Sequence, residues 1–236
     1  MPITSIRYLI HLQSGKKIDH KVEFDEKSMI GVNATPGSPP EWTRLDFNKC
    51  DNCPLDSKND PHCPAALSMV NLINKCSEID SFESTQVEVT TPTRKYIIAA
   101  PLQKAISSIL GLTMATSSCP RTSCLRPMAH FHLPIANDDE DIFRASSMYL
   151  LAQYYRHKQG EKVDLELQGL ASIYRHLQTV NHAMAKRLKE ASNSNTGAKA
   201  ILRLDLFSHI MAFNIKDSLD SMRHLFEPLL RQHDYD

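Results

Sequence analysis

The residues in this chain best suited to chemistry are its thiols. Cys50 and Cys53 form a C-x-x-C knuckle in the run CDNCPL, and Cys63 follows after nine residues in the run HCPAAL. Two close thiols and a third across a short loop are how proteins clamp a tetrahedral ion. The residues between them are polar and turn-rich, so the loop can fold back without stranding backbone groups. Pro64 suits the first turn of a helix. That places Cys63 beside unpaired backbone N–H groups and the positive end of the helix dipole, which favours the thiolate. Cys53, Cys63 and Cys119 each precede a proline, whose fixed φ stiffens the chain just after the thiol.

Cys119 is therefore expected as the fourth ligand, with His62, His130, His132 and Cys124 competing for that place. His62 adjoins a ligand and is expected to point away from the metal. Cys76 ends the helix that Pro64 begins, roughly 20 Å from Cys63 at 1.5 Å rise per residue. It is expected to be a small buried hydrophobe outside the site. Zinc is favoured over an iron–sulfur cluster, because the compact C-x2-C-x2-C run of bacterial ferredoxins is missing and four-cysteine zinc sites tolerate long gaps. Two other readings of the same thiols stand beside this one. A redox dithiol at Cys50 and Cys53 would normally sit where a strand runs into a helix, a context missing here, and the thiols could also be unrelated to one another.

A second segment, residues 113–134, mixes small residues with Cys-Pro, Arg-Pro and two histidines one residue apart. In an extended chain His130 and His132 would point the same way, able to bind a metal or to serve as acid and base near neutral pH. Arg126 could hold a carboxylate or phosphate. The plainer account makes Phe131 core, both histidines satisfied, and Arg126 one half of an ordinary ion pair.

The elements that must position these residues follow from hydrophobic period. Tyr8, Ile10 and Leu12 alternate against Arg7 and His11, and after a Gly-containing turn Val22 and Phe24 resume the alternation, so the chain opens with a β-hairpin. Residues 31–41 are a Gly/Pro/Ser loop whose end Trp42 is expected to pin to the core. Apolar residues from Pro64 to about Cys76 recur at helical spacing. Val87 and Val89, then Tyr96 to Ile98, form a second hairpin. The first part, residues 1–100, thus reads ββ, cysteine loop, α, ββ. Residues 101–236 read as helices: Gln103 to about Leu112, Asp141 to His157, Asp164 to about Ser192, Gly197 to about Phe213, and Lys216 to about Gln232. Leu167, Leu170, Ile173, Tyr174, Leu177, Val180, Met184 and Leu188 make a packing stripe along the third of these. The fold class is α+β, a small antiparallel sheet of two hairpins around one helix followed by a larger helical region. If Cys119 joins the first three thiols, the two parts form one folding unit.

Composition narrows the setting. With 236 residues, 42% of them hydrophobic, a core can form without disulfides. Lys+Arg and Asp+Glu stand at 27 each, which supplies no basic surface for nucleic acid. The N-terminus lacks the charged-then-apolar pattern of an export signal, and no apolar run of about 18 residues occurs. A reducing cytoplasm is the expected compartment, with no membrane association, and there six cysteines are better read as thiols than as disulfides.

The elements CDNCPL, HCPAAL, MATSSCP, LRPMAHFHLP and YLLAQYY together resemble an uncharacterised bacterial family of about this length, across nearly the whole chain. The resemblance implies that Cys50, Cys53, Cys63 and Cys119 belong together with the His130 region. It implies no activity, substrate or cofactor.

Three functions fit. The first is a metal-binding protein with a structural zinc site and a helical surface for a protein partner. The second is an iron–sulfur or thiol-based redox enzyme or sensor that uses His130, His132 and Arg126. The third is a helical interaction module without metal. The chain has no phosphate-binding glycine loop, no G-x-S-x-G and no H-E-x-x-H, so the commoner hydrolase chemistries lack support.

Overall fold

Alternation of apolar and polar side chains builds strands β1 (Ile3–Leu12) and β2 (Lys17–Asp25), joined at Gly15, whose φ of 82° is a conformation glycine adopts without strain. In the computed structural model, which describes residues 2–32, 37–76, 79, 84–191 and 196–231, these strands pair antiparallel with Tyr8 opposite His20. The second hairpin, β3 (Ser84–Thr90) and β4 (Lys95–Pro101), joins the first through β1 and β3, giving one sheet in the order β2-β1-β3-β4. The class is therefore α+β as expected, and the two hairpins form a single four-stranded sheet. The connection from β2 to β3 must cross β1. It carries the cysteine loop and α1 (Pro64–Cys76), which begins and ends at the residues its spacing indicated. Part of the Gly/Pro/Ser loop, residues 33–36, lies outside the described residues.

One face of the sheet is apolar, with Ile6, Tyr8, Ile10, Val22, Phe24, Val87 and Val89 buried. The other is polar. Arg7 donates two hydrogen bonds to Asp19, while His11 and Lys95 both reach Glu88. The apolar face, α1 and α2 (Leu102–Thr116) share one core with Val180, Met184 and Leu188. Helix α2 runs past its expected end at Leu112 because Thr113, Met114, Ala115 and Thr116 are buried, and Thr116 satisfies its hydroxyl on the carbonyls of Leu112 and Thr113.

The chain divides into two compact units. One comprises Met1–Ile135 with His176–Leu206, and the other Ala136–Arg175 with Phe207–Asp236. The first takes in the sheet, α1, α2, the short α3 (Arg126–His130) and most of α5 (Gln168–Ala191). The second is built on α4 (Asp138–Lys158), α7 (Ile215–Met222) and α8 (Glu227–Arg231). Helix α6 (Thr196–Phe213) is divided between the two, and the expected break at residues 193–195 lies outside the described residues.

Two helices differ from the expected pattern. Helix α5 starts at Gln168 rather than Asp164 because Leu167 has a φ of 59°, outside the helical region. Asp164 works as a displaced cap, with Oδ2 accepting from the Gly169 N–H at 2.7 Å and from the Tyr149 hydroxyl at 2.8 Å. The last expected helix is split by a 3-10 turn at Arg223–Phe226. Pro228 has no N–H to continue a helix, and so stands near the start of α8 instead.

His20 is the anomaly of the core. Its side chain is buried, and neither ring nitrogen finds a hydrogen-bond partner among the described residues. Burial, reinforced by the Lys75 ammonium and opposed by Asp19, lowers its pKa to about 4. An unfolded histidine takes its proton near pH 6.5. Stability from keeping His20 neutral is thus fully present above about pH 6.5, declines as pH falls, and is gone below about pH 4, a loss of up to about 3 kcal/mol. Replacing His20 with Leu is expected to flatten stability across that window. Chemical unfolding of both proteins at several pH values checks this, and parallel curves would rule His20 out as the cause.

Candidate metal centre

The cysteine loop is organised from both ends. Thr43 N–H donates to the Pro40 carbonyl, closing the turn Glu41–Thr43 and burying Trp42 at the end of the loop. The loop's two arms then pair. Cys63 N–H donates to the Thr43 carbonyl at 2.7 Å, and Leu45 N–H donates to the Pro61 carbonyl at 2.9 Å. Between them Cys53 N–H donates to the Cys50 carbonyl at 3.0 Å, which closes the C-x-x-C turn.

A side chain far away in sequence holds this loop. Arg187 on α5 is 1% exposed and donates three hydrogen bonds to loop carbonyls. Nη1 reaches Trp42 O at 2.9 Å and Arg44 O at 2.7 Å, and Nη2 reaches Leu45 O at 2.8 Å. Its Nε is buried without a partner. Among the described residues no carboxylate pairs with it. The sequence reading missed Arg187, although a signal was there: it lies seven residues after Val180 and three after Met184, so a charged residue falls on the apolar stripe of α5.

Cys119 comes from the end of α2. Its N–H donates to Ser117 Oγ at 3.2 Å, and its carbonyl accepts from the N–H groups of Thr122 and Ser123. Two residues on, Arg121 Nε donates to the Asn52 carbonyl inside the C-x-x-C turn at 2.7 Å, so the Cys119 segment is tied directly to the knuckle. Asn52 Nδ2 in turn donates to the His176 carbonyl of α5 at 3.0 Å.

Electrostatics group the same thiols. Cys63 and Cys119 are 7% and 8% exposed, and Cys50 and Cys53 are half-buried. Burial pushes the Cys50 thiol up to about 12, with Cys63, Cys53 and Cys119 adding to the rise and Arg187 opposing it. Cys63 is also raised by burial. The Ala66 N–H, Arg187 and the Ala65 N–H pull it back, and Cys119 pushes it further up. Cys63 therefore does meet backbone donors at the start of α1. Cys53, Cys63 and Cys119 thus each lie within electrostatic reach of Cys50, and Arg187 lies within reach of Cys50 and Cys63.

Of the other candidates, Cys124 also lies within electrostatic reach of Cys119, and the rest are placed elsewhere. Cys76 is buried in the core, its thiol pushed up to about 12 by burial. Cys124 is exposed and turns its sulfur to the Arg121 carbonyl at 3.7 Å. His62 Nδ1 lies 2.8 Å from Thr43 Oγ1. His130 and His132 do not share an extended segment, because His130 ends α3. His130 is exposed, while His132 Nε2 is hydrogen-bonded with the Tyr8 hydroxyl, which also meets Ser108 Oγ at 2.8 Å. Arg126 is half-buried, with Nε lacking a partner.

Among the described residues, no three Cys, His, Asp or Glu side chains already form a group able to hold a metal ion. The fit to one lies in donor chemistry. Four sulfurs in one neighbourhood, two backbone N–H donors and a buried guanidinium suit a thiolate-bound cation, whose binding must displace the thiol protons.

Fold and site together define an α+β protein with a thiol cluster beside a buried arginine. The family model Domain of unknown function (DUF6901) matches residues 6–227, and the chain belongs to that family. No curated protein and no solved structure matches it. Among the described residues, no helix is long and apolar enough to cross a membrane.

The Arg187 clamp has a direct consequence for stability. Replacing Arg187 with Met keeps most of the volume but leaves three buried carbonyls without donors, each worth about 1–3 kcal/mol. A loss of about 3 kcal/mol or more is expected in denaturant unfolding, with Arg187→Lys recovering part of it because an ammonium cannot reproduce the fork. Near-wild-type stability of Arg187→Met would show that the clamp is not structural.

Proposed function

We propose that this protein binds a metal ion through the thiolates of Cys50, Cys53, Cys63 and Cys119, with zinc as the ion and a structural role for the site. The observation that carries the reading is Arg187, a buried guanidinium that no carboxylate pairs with among the described residues and that lies within electrostatic reach of Cys50 and Cys63. A buried cation needs compensation. Four thiolates around a divalent ion carry a net charge of about −2, which Arg187 and the Ala65 and Ala66 N–H groups offset in part. Without a cation the buried thiols stay protonated.

When bound, zinc supplies cross-linking rather than reactivity, because four thiolates leave it no open position. Cys50, Cys53 and Cys63 hold the loop between β2 and α1, and Cys119 fastens it to the end of α2. An iron–sulfur cluster takes the same four ligands and is the runner-up. A redox dithiol is disfavoured, since a reactive cysteine needs a lowered pKa and Cys50 is pushed up to about 12. Metal-holding thiolates fit a reducing compartment such as the cytoplasm, and the helical part remains the surface for a protein partner.

The test is metal content and visible absorption of anaerobically purified protein, followed by cobalt loading of variants. Cys50→Ser and Cys63→Ser are each expected to lose bound metal, while Cys76→Ser keeps it. Cys119→Ser is expected to lose one thiolate's share of the thiolate-to-cobalt absorption, with His130→Ala/His132→Ala unchanged. Chelation is expected to lower the melting temperature, because an ion bound only by the folded state stabilises it. A broad brown absorption with iron would replace zinc by a cluster, and full metal in both Cys50→Ser and Cys63→Ser would end the assignment.

A further inference from the structure

Helix α4 has two apolar faces. Ile142, Ala145, Tyr149 and Gln153 line its buried side. On the other side Phe143, Leu150, Leu151, Tyr154 and Tyr155 are between 41% and 58% exposed. At 100° per residue, Glu140 and Lys158 each lie nine residues from Tyr149, half a turn round the helix from the buried side. The exposed face therefore runs from an acid at one end, through Ser147 and Leu151, to a base at the other.

Charge is segregated along the same axis. The first turn holds Asp138, Asp139, Glu140 and Asp141, and the last holds Arg156, His157 and Lys158. This arrangement matches the helix dipole and stabilises an isolated helix. It also makes the face complementary to itself. Turned end for end, α4 sets its acids against bases, whereas a parallel partner of the same kind would set acid against acid.

We propose that this face of α4 pairs antiparallel with α4 of a second copy of the chain, about a two-fold axis at the level of Tyr149. In such a pairing Glu140 meets Lys158 of the second copy, Phe143 meets Tyr154, and the small Ser147 receives Leu151, each contact occurring twice. Glu140 uses Oε2 to accept from the Asn137 N–H in the capping box, and a carboxylate has a second oxygen for an ammonium. Phe226, whose ring centroid lies 6.3 Å from that of Phe143, extends the apolar patch beyond α4. Helix α4 is about 31 Å long, and one helix face lies at the low end of the roughly 800 Å² per partner that stable interfaces bury. The dissociation constant is accordingly expected to be on the order of micromolar. The proposal is independent of the thiol cluster.

Sedimentation of the whole chain in reducing buffer, with and without chelator, tests it. Wild-type protein is expected to pass from monomer to dimer as concentration rises through the micromolar range, and Leu151→Glu/Tyr154→Glu is expected to raise the dissociation constant at least tenfold. Lys158→Glu alone is expected to weaken the dimer, and Glu140→Lys added to it in the same chain to restore association, even though that change removes the capping-box carboxylate. A carbodiimide cross-link between Glu140 and Lys158 provides a second readout. Eighteen residues of helix hold these two about 27 Å apart within one chain, so a zero-length link between them can form only between copies. A monomer at every concentration overturns the proposal and leaves the face to a different protein. A dimer undisturbed by Leu151→Glu/Tyr154→Glu, or a double reversal no better than Lys158→Glu alone, overturns it as well.

Discussion

Three backbone carbonyls, those of Trp42, Arg44 and Leu45, converge on one guanidinium, and the organisation of the cysteine loop follows from that contact. The loop lies in the crossover from β2 to β3, where the chain has to pass β1, and it sets Trp42 and Leu45 into the core. Arg187 anchors it with hydrogen bonds. Because a guanidinium has five donors in a rigid fork, it can hold successive carbonyls of an irregular segment that no strand or helix satisfies. With one arm of the loop so held, its pairing with the other arm sets Cys63 at the start of α1.

The same arginine gives the thiol cluster its electrostatic character. Burial alone raises thiol pKa values and works against thiolates, as at Cys50 and Cys76. At Cys50 three other thiols add to the rise and a buried cation opposes it. On the proposed reading a metal ion binds by displacing thiol protons, so its affinity is expected to rise with pH.

Much of the fold was legible from local pattern. Alternation in β1 to β4 and the 3.6-residue period of α1 depend on which side chains face the core, and that information is carried within a few residues. Where local pattern fell short, the cause was a backbone or capping effect that no apolar period carries. Leu167 in a left-handed conformation delays α5, and Pro228 divides the last helix. For the site, spacing and the Cys-Pro context singled out Cys50, Cys53, Cys63 and Cys119, and the last three each lie within electrostatic reach of Cys50. The histidine pair read less well, because a short helix at Arg126–His130 replaces the extended segment that would have aligned the two rings.

By itself the sequence determined the fold class, the hairpins and the helix that begins beside Cys63, since each rests on residue type and short-range spacing. Tertiary structure alone decided that residues 176–206 join the sheet in one unit, that Arg121 of the Cys119 segment reaches the Asn52 carbonyl, and that Arg187 is buried against Trp42, Arg44 and Leu45. The physical reason is distance along the chain. Arg187 lies more than 140 residues from the carbonyls it binds, and its only local mark is a charge on an apolar stripe, which becomes meaningful once the fold supplies acceptors in place of water.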